Sequence, residues 1–166
     1  MKKTGIILLL CFMLSGCASQ DMMETICDTY DVPVVAQLQQ IQVKLPEDAT
    51  LSTMGDGADS KLYLCDDYAV STQILEGRDI DRTFQQTTGF TEDALAVMKT
   101  VRSGLKRYDC VWTAAGEGEE QVFRAVILDD GQQHYTVTLS ASASKAGDLA
   151  QTWQEILDSV TLISTG

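Results

Sequence analysis

Apolar and polar positions alternate along most of residues 39–142, and the places where the period changes divide the chain into elements. Gln39–Leu45 puts Ile41 and Val43 on one face and stops at Pro46, which has no N–H to give to a ladder, so the spacing predicts a strand. Residues 52–60 (STMGDGADS) are rich in glycine, aspartate and serine and form a loop. Residues 61–65 (KLYLC) and 68–75 (YAVSTQIL) alternate on either side of Asp66-Asp67 and read as a hairpin. Two helices follow. The first covers residues 80–88, with Asp79 as cap, Ile80 and Phe84 four apart, and Gly89 as stop. The second is expected over residues 92–103, capped by Thr91. Glu92 and Asp93 lie in its first turn, Lys99 and Arg102 in its last, and Ala94, Leu95, Met98 and Val101 form one stripe.

The period then returns to two. Residues 105–115 place Tyr108, Cys110, Trp112 and Ala114 on one face, and within 119–128 the segment Val122–Leu128 is apolar on both faces apart from Arg124. Residues 134–141 bring Tyr135, Val137, Leu139 and Ala141 together, with turns at Gly116–Gly118 and Asp129-Asp130-Gly131. Residues 148–160 carry Leu149, Trp153, Ile156, Leu157 and Val160 at helical spacing. A strand apolar on both faces requires a sheet covered on both faces. The expected architecture is therefore α+β: an antiparallel sheet with helices on both faces, an αβα sandwich.

The first 17 residues stand apart from this pattern. Lys2 and Lys3 precede an apolar run from Gly5 to Leu14, shorter than the roughly 20 residues a membrane-spanning helix needs. Leu14-Ser15-Gly16-Cys17 follows directly and resembles the lipobox of bacterial lipoproteins, in which the signal is cut before the cysteine and its sulfur receives a diacylglyceryl group. That resemblance implies a signal peptide at 1–16 and a lipidated Cys17 that anchors the chain to a membrane without spanning it. Residues 17–32 are then the anchor and an acidic tether, and 33–166 a single α+β domain.

Charge narrows the partners. Without Lys2 and Lys3 the chain carries ten basic residues against 24 acidic ones, a formal charge of −14 compared with −12 for the whole sequence. Such a surface repels phosphate backbones, which argues against nucleic acid and suits a solvated extracytoplasmic surface. Export permits disulfides, and Cys65–Cys110 is one conceivable pair because both lie in expected strands; small buried thiols are the alternative, and Cys27, near the tether, completes an odd set of three.

Beside these features the chain resembles the PsbP/Mog-like superfamily of extrinsic αβα-sandwich domains. The likeness rests on the opening strand ending in Leu-Pro (IQVKLPED), the three-strand meander and the closing W-x-x-I-L-x-S of Trp153, Ile156, Leu157 and Ser159. It implies an accessory or partner-binding domain over about Val34–Ile163 and carries over no active-site residue. A lipocalin-like or cystatin-like fold is the alternative.

Candidate chemistry is sparse. His134 is the one histidine, expected to be exposed on a strand opposite Tyr135; a base or metal ligand, or a Cys110–His134 pair, is the sharper reading. Asp56 and Asp59 lack the order of a calcium loop, and Asp109, Glu117, Glu119 and Glu120 show no fixed separation of paired carboxylates. Tyr108, Trp112 and Trp153 are core aromatics or the lining of a ligand pocket. No phosphate-binding glycine loop, dinucleotide fingerprint or zinc-ligand spacing occurs. The expectation is a non-enzymatic, membrane-anchored lipoprotein with no catalytic residue, metal or cofactor, binding a protein or envelope component. A small-ligand carrier is the alternative, and a thiol-dependent enzyme a more distant one.

Overall fold

A computed structural model describes residues 39–54, 57, 59–116 and 118–164. The signal peptide, Cys17, the tether, Cys27, Asp56 and Glu117 lie outside them. The strands are β1 (Gln39–Gln42), β2 (Thr50–Leu51), β3 (Ser60–Leu64), β4 (Ala69–Glu76), β5 (Ala96–Arg102), β6 (Leu105–Ala115), β7 (Glu120–Asp129), β8 (Gln133–Ser142) and β9 (Thr161–Ser164). The helices are α1 (Ile80–Thr88), a single turn α2 (Ala143–Ala146) and α3 (Ala150–Asp158). Seven strands form one antiparallel sheet in the order β2-β3-β4-β8-β7-β6-β5, and β1 pairs with β9 in a separate ribbon.

The central strand β7 explains the layering. Val126 and Leu128 point to one face, where they meet Tyr135, Val137 and Leu139 of β8 and Trp153, Ile156 and Leu157 of α3. Ile41, Val43 and Leu162 of the β1–β9 ribbon and its flank close the same cluster. Ala125 and Ile127 point the other way, to Tyr108, Cys110 and Trp112 of β6 and to Phe84 of α1. Apolar side chains on both faces of β7 are thus buried by different helices, and the fold is an αβα sandwich with an antiparallel sheet, as the two-sided apolar pattern requires.

Helix α1 begins and ends for local reasons. The Asp79 carboxylate accepts from the N–H groups of Asp81 (3.0 Å) and Arg82 (3.4 Å), and Gly89 takes the left-handed conformation at φ 82° while its N–H returns to the Gln85 carbonyl. The expected second helix does not form. Glu92–Ala94 make one 3-10 turn, and Ala96–Arg102 run as β5, paired residue for residue with β6 from Ala96–Val111 to Arg102–Leu105. The reason is tertiary. Ser103 (φ 52°) and Gly104 (φ 83°) form a two-residue hairpin turn in which both central residues have positive φ. That turn folds β5 back onto β6, which would otherwise expose eleven residues of backbone at the sheet edge. The Glu92 and Lys99 charges that matched a helix dipole instead form an ion pair with each other.

Candidate functional site

The residues singled out in the sequence do not converge. Tyr108 and Trp112 are buried on the α1 face, where Tyr108 meets Phe84 edge-on at 5.8 Å and Trp112 stacks on Phe123 at 5.2 Å. Trp153 is buried on the opposite face, edge-on to Tyr68 at 6.4 Å, and its indole N–H has no hydrogen-bond partner among the described residues. The sheet separates the two groups, so the three aromatics are core side chains and line no common pocket.

The Cys65–Cys110 disulfide is likewise corrected. Both are free thiols: Cys65 packs with the Trp153 cluster and Cys110 with the Phe84 cluster, on opposite faces. A bond a few ångströms long cannot join two side chains that point away from each other through a sheet. Burial pushes both thiols up, Cys110 to about 11, so neither is a ready thiolate at neutral pH.

His134 is not exposed but 1% accessible. It does project opposite Tyr135, but β8 is an inner strand and α1 lies over that face. Its Nδ1 is 2.6 Å from the Thr83 hydroxyl, its Nε2 3.8 Å from Asp129 Oδ1, and Asp129 Oδ2 accepts from Lys106 Nζ at 3.1 Å. Burial lowers the histidine pKa, and Lys106 adds to the effect, against the opposing pull of Asp129. A neutral ring with its hydrogen on Nε2 accepts from Thr83 and faces Asp129 with its N–H. Hydroxyl, imidazole and carboxylate together have the composition of a nucleophile triad. Thr83 is itself 1% accessible, however, so no substrate reaches the hydroxyl, and the group ties α1 to the sheet. Cys110 is no partner of this histidine. It lies across Ala125 from Thr138, two strands away and four residues along, a separation well over about 10 Å.

The carboxylates divide in the same way. Asp109 belongs not to the Glu119–Glu120 hairpin end but to the middle of β6, where it pairs with Arg107. Among the described residues no three His, Cys, Asp or Glu side chains are grouped to hold a metal ion.

A concave surface lies elsewhere, on the α3 face beside the β5–β6 hairpin. A cleft of about 850 Å³ opens between Thr100, Arg102 and Gly104 of the hairpin, Asp158 at the end of α3 and Thr161 of β9. Arg107 forms its wall. Nε and Nη2 donate to both oxygens of Asp109 at 2.8 Å, Nη1 donates to the Leu157 carbonyl at 3.2 Å, and Asp158 is 3.7 Å away. The hydrogen bond to the carbonyl uses an acceptor near the end of α3 and pins the helix to the hairpin. A second, shallower depression of about 410 Å³ has Ala96, Met98 and Val111 along it, with Arg124, bonded to Gln154, at one side. Four of the ten basic residues beyond the lipobox, Lys99, Arg102, Lys106 and Arg107, fall within nine positions of this hairpin, Arg102 and Arg107 on the face of the cleft and Lys99 and Lys106 on the other. That density was visible in an acidic chain, but assigning Lys99 and Arg102 to a helix end concealed it.

No family model matches the chain, and no curated protein matches it. Solved structures do. The solution structure of cyanobacterial PsbP from Synechocystis sp. PCC 6803 superposes with a TM-score of 0.52 at 12% identity, over 79% of this chain and 96% of that one. The Saccharomyces cerevisiae Ran-binding protein Mog1p gives 0.51 at 11% identity, over 75% and 90%. A protein from Bacteroides thetaiotaomicron VPI-5482 gives 0.50 at 16% identity over 76% of this chain, which spans only 45% of that longer protein. At these identities the likeness is one of fold, and the fold of the domain is that of the PsbP/Mog-like αβα sandwiches.

Proposed function

We propose that the chain is a lipoprotein anchored through Cys17 to the extracytoplasmic face of a bacterial membrane, where its sandwich domain binds a protein or envelope partner without catalysis of its own. The anchoring rests on the lipobox-like Leu14-Ser15-Gly16-Cys17 after a basic and apolar leader. The binding reading is carried by one observation: Thr83, His134 and Cys110 are locked in the core, whereas the β5–β6 edge exposes Met98 and Val111 on the face that carries the cleft and Val101 on the other. The fold is also used by a protein described as Ran-binding, an instance of protein recognition by this architecture.

Crosslinking of the tagged chain in intact cells, with Cys17→Ala as control, tests the reading. One dominant species captured by the parent and reduced in the control is the expected result; no specific species from either chain overturns it. The cleft also favours a second reading, a small-ligand carrier, for which a ligand that raises the melting temperature in a thermal-shift screen is required.

A further inference from the structure

Strand β5 is the last of the seven-stranded sheet: β6 pairs with one side of it, and among the described residues no strand pairs with the other. Edge strands are usually kept short, bulged or covered, because their free N–H and C=O groups can accept another strand. Here the edge runs for seven residues in unbroken register, and six of the seven are exposed. Met98 is 61% and Val101 70% accessible, a large apolar exposure for an edge. The opposite edge, β2, is only two residues long.

Side chains of β5 on the α3 face are Ala96, Met98, Thr100 and Arg102, by alternation. The shallow depression lies at Ala96, Met98 and Val111, with Asp109 and Arg124 also lining it, and the larger cleft lies at Thr100 and Arg102, with Arg107, Asp130 and Asp158 also lining it. Two receptacles of different character thus lie along one side of the strand, separated by about 13 Å from Met98 to Arg102. The charges differ as well. Lys99, Lys106 and Arg107 are matched by Glu92, Asp129 and Asp109, whereas Arg102 makes no ion pair among the described residues. It is the unneutralised cation of the hairpin.

We propose that the free edge of β5 docks an extended segment of a partner protein, which joins the sheet as a further strand and carries an apolar side chain and a carboxylate four positions apart. The proposal rests on the reading of the domain as partner-binding and names its surface and the chemistry of its partner. Main-chain hydrogen bonds to β5 supply affinity, and the two receptacles read alternate side chains. The apolar residue covers Met98, and the carboxylate meets Arg102. A lysine at that second position is repelled.

The test titrates the full-length chain in detergent with two synthetic peptides of alternating threonine and valine. One carries leucine and glutamate four positions apart; the other has lysine in place of glutamate. The glutamate peptide binds about tenfold more tightly, and Arg102→Glu, a change at an exposed position, reverses the order. Amide exchange slows along β5 and stays unchanged in β2. Equal affinities, no binding of either peptide, or slowing at β2 instead of β5 overturns the proposal. In-cell capture separates the two readings. If the peptides fail and Arg102→Glu still captures the parent's partner, the docking edge is overturned and partner binding stands. If neither chain captures a partner, both are overturned.

Discussion

Arg107 and Asp109 stand two residues apart on one face of β6 and meet through two hydrogen bonds of 2.8 Å, while the same guanidinium donates to the carbonyl of Leu157. This pair joins the hairpin to the end of α3 and gives the cleft a fixed wall. Asp109 is largely buried, and the arginine is its ion-pair partner. Arg107→Ala should destabilise the domain by about 3 kcal/mol, because the carboxylate then lies unpaired. The double change Arg107→Met with Asp109→Leu should cost less than Arg107→Ala alone, since neither charge remains. Urea unfolding of the three chains checks the order.

His134 predicts a pH dependence. Its folded pKa is lowered by burial, with Lys106 adding to the effect and Asp129, Asp130 and Asp79 opposing it. The unfolded chain therefore takes up the proton first as pH falls. The contribution of a neutral His134 to stability is complete above its ordinary value of 6.5 and diminishes below it until the folded pKa is passed. Glu119, whose carboxyl is held down by its hydrogen bonds with Ser144, contributes above 4.5 and is lost at lower pH, so the two are separable. Melting temperature should fall as the pH drops below about 6.5, and His134→Gln should flatten that slope while lowering the plateau. An unchanged slope would show that His134 is not the group responsible.

The thiols predict slow chemistry. Cys110 is buried, with its pKa raised to about 11, and Cys65 is half-buried with a raised pKa. Iodoacetamide at neutral pH should modify Cys65 slowly and Cys110 only after denaturant is added. Rapid alkylation of Cys110 in the native chain would revive the thiol-enzyme reading.

The strand at residues 96–102 predicts the sign of a surface substitution. Val101 is exposed and touches little, so its backbone preference dominates. In a helix, Val101→Ala would stabilise by a few tenths of a kcal/mol, because alanine is the better helix former. In β5 it should destabilise by roughly 0.5 kcal/mol. Thermal unfolding decides between the signs.

The element that the sequence misassigned shows where local reading stops. Residues 92–103 carry capping charges and an apolar stripe that satisfy a helix template, yet the same apolar residues are also compatible with a strand. The Ser103-Gly104 pair is itself a hairpin signal, but it follows charges and an apolar stripe at helical spacing. What selects the strand is the length of β6, a neighbour in space whose outer backbone groups require pairing. The basic cluster around Arg102 and the edge it decorates were unreadable for that reason. The error at His134 has the same origin: alternation placed it opposite Tyr135 correctly, but only the position of α1 determines that this face is buried.

Near neighbours and period suffice for the Asp79 and Gly89 ends of α1, the β3–β4 hairpin, the β6–β7–β8 meander, the apolar face of α3 and the two-sided burial of β7. Tertiary structure alone decided which strand stands at the edge, which thiols and aromatics share a face, and where a charge remains unmatched. The β4–β8 and β1–β9 pairings join segments dozens of residues apart and impose that arrangement. Periodicity records which side of its own element a residue occupies, and only the packing of distant elements records what lies there.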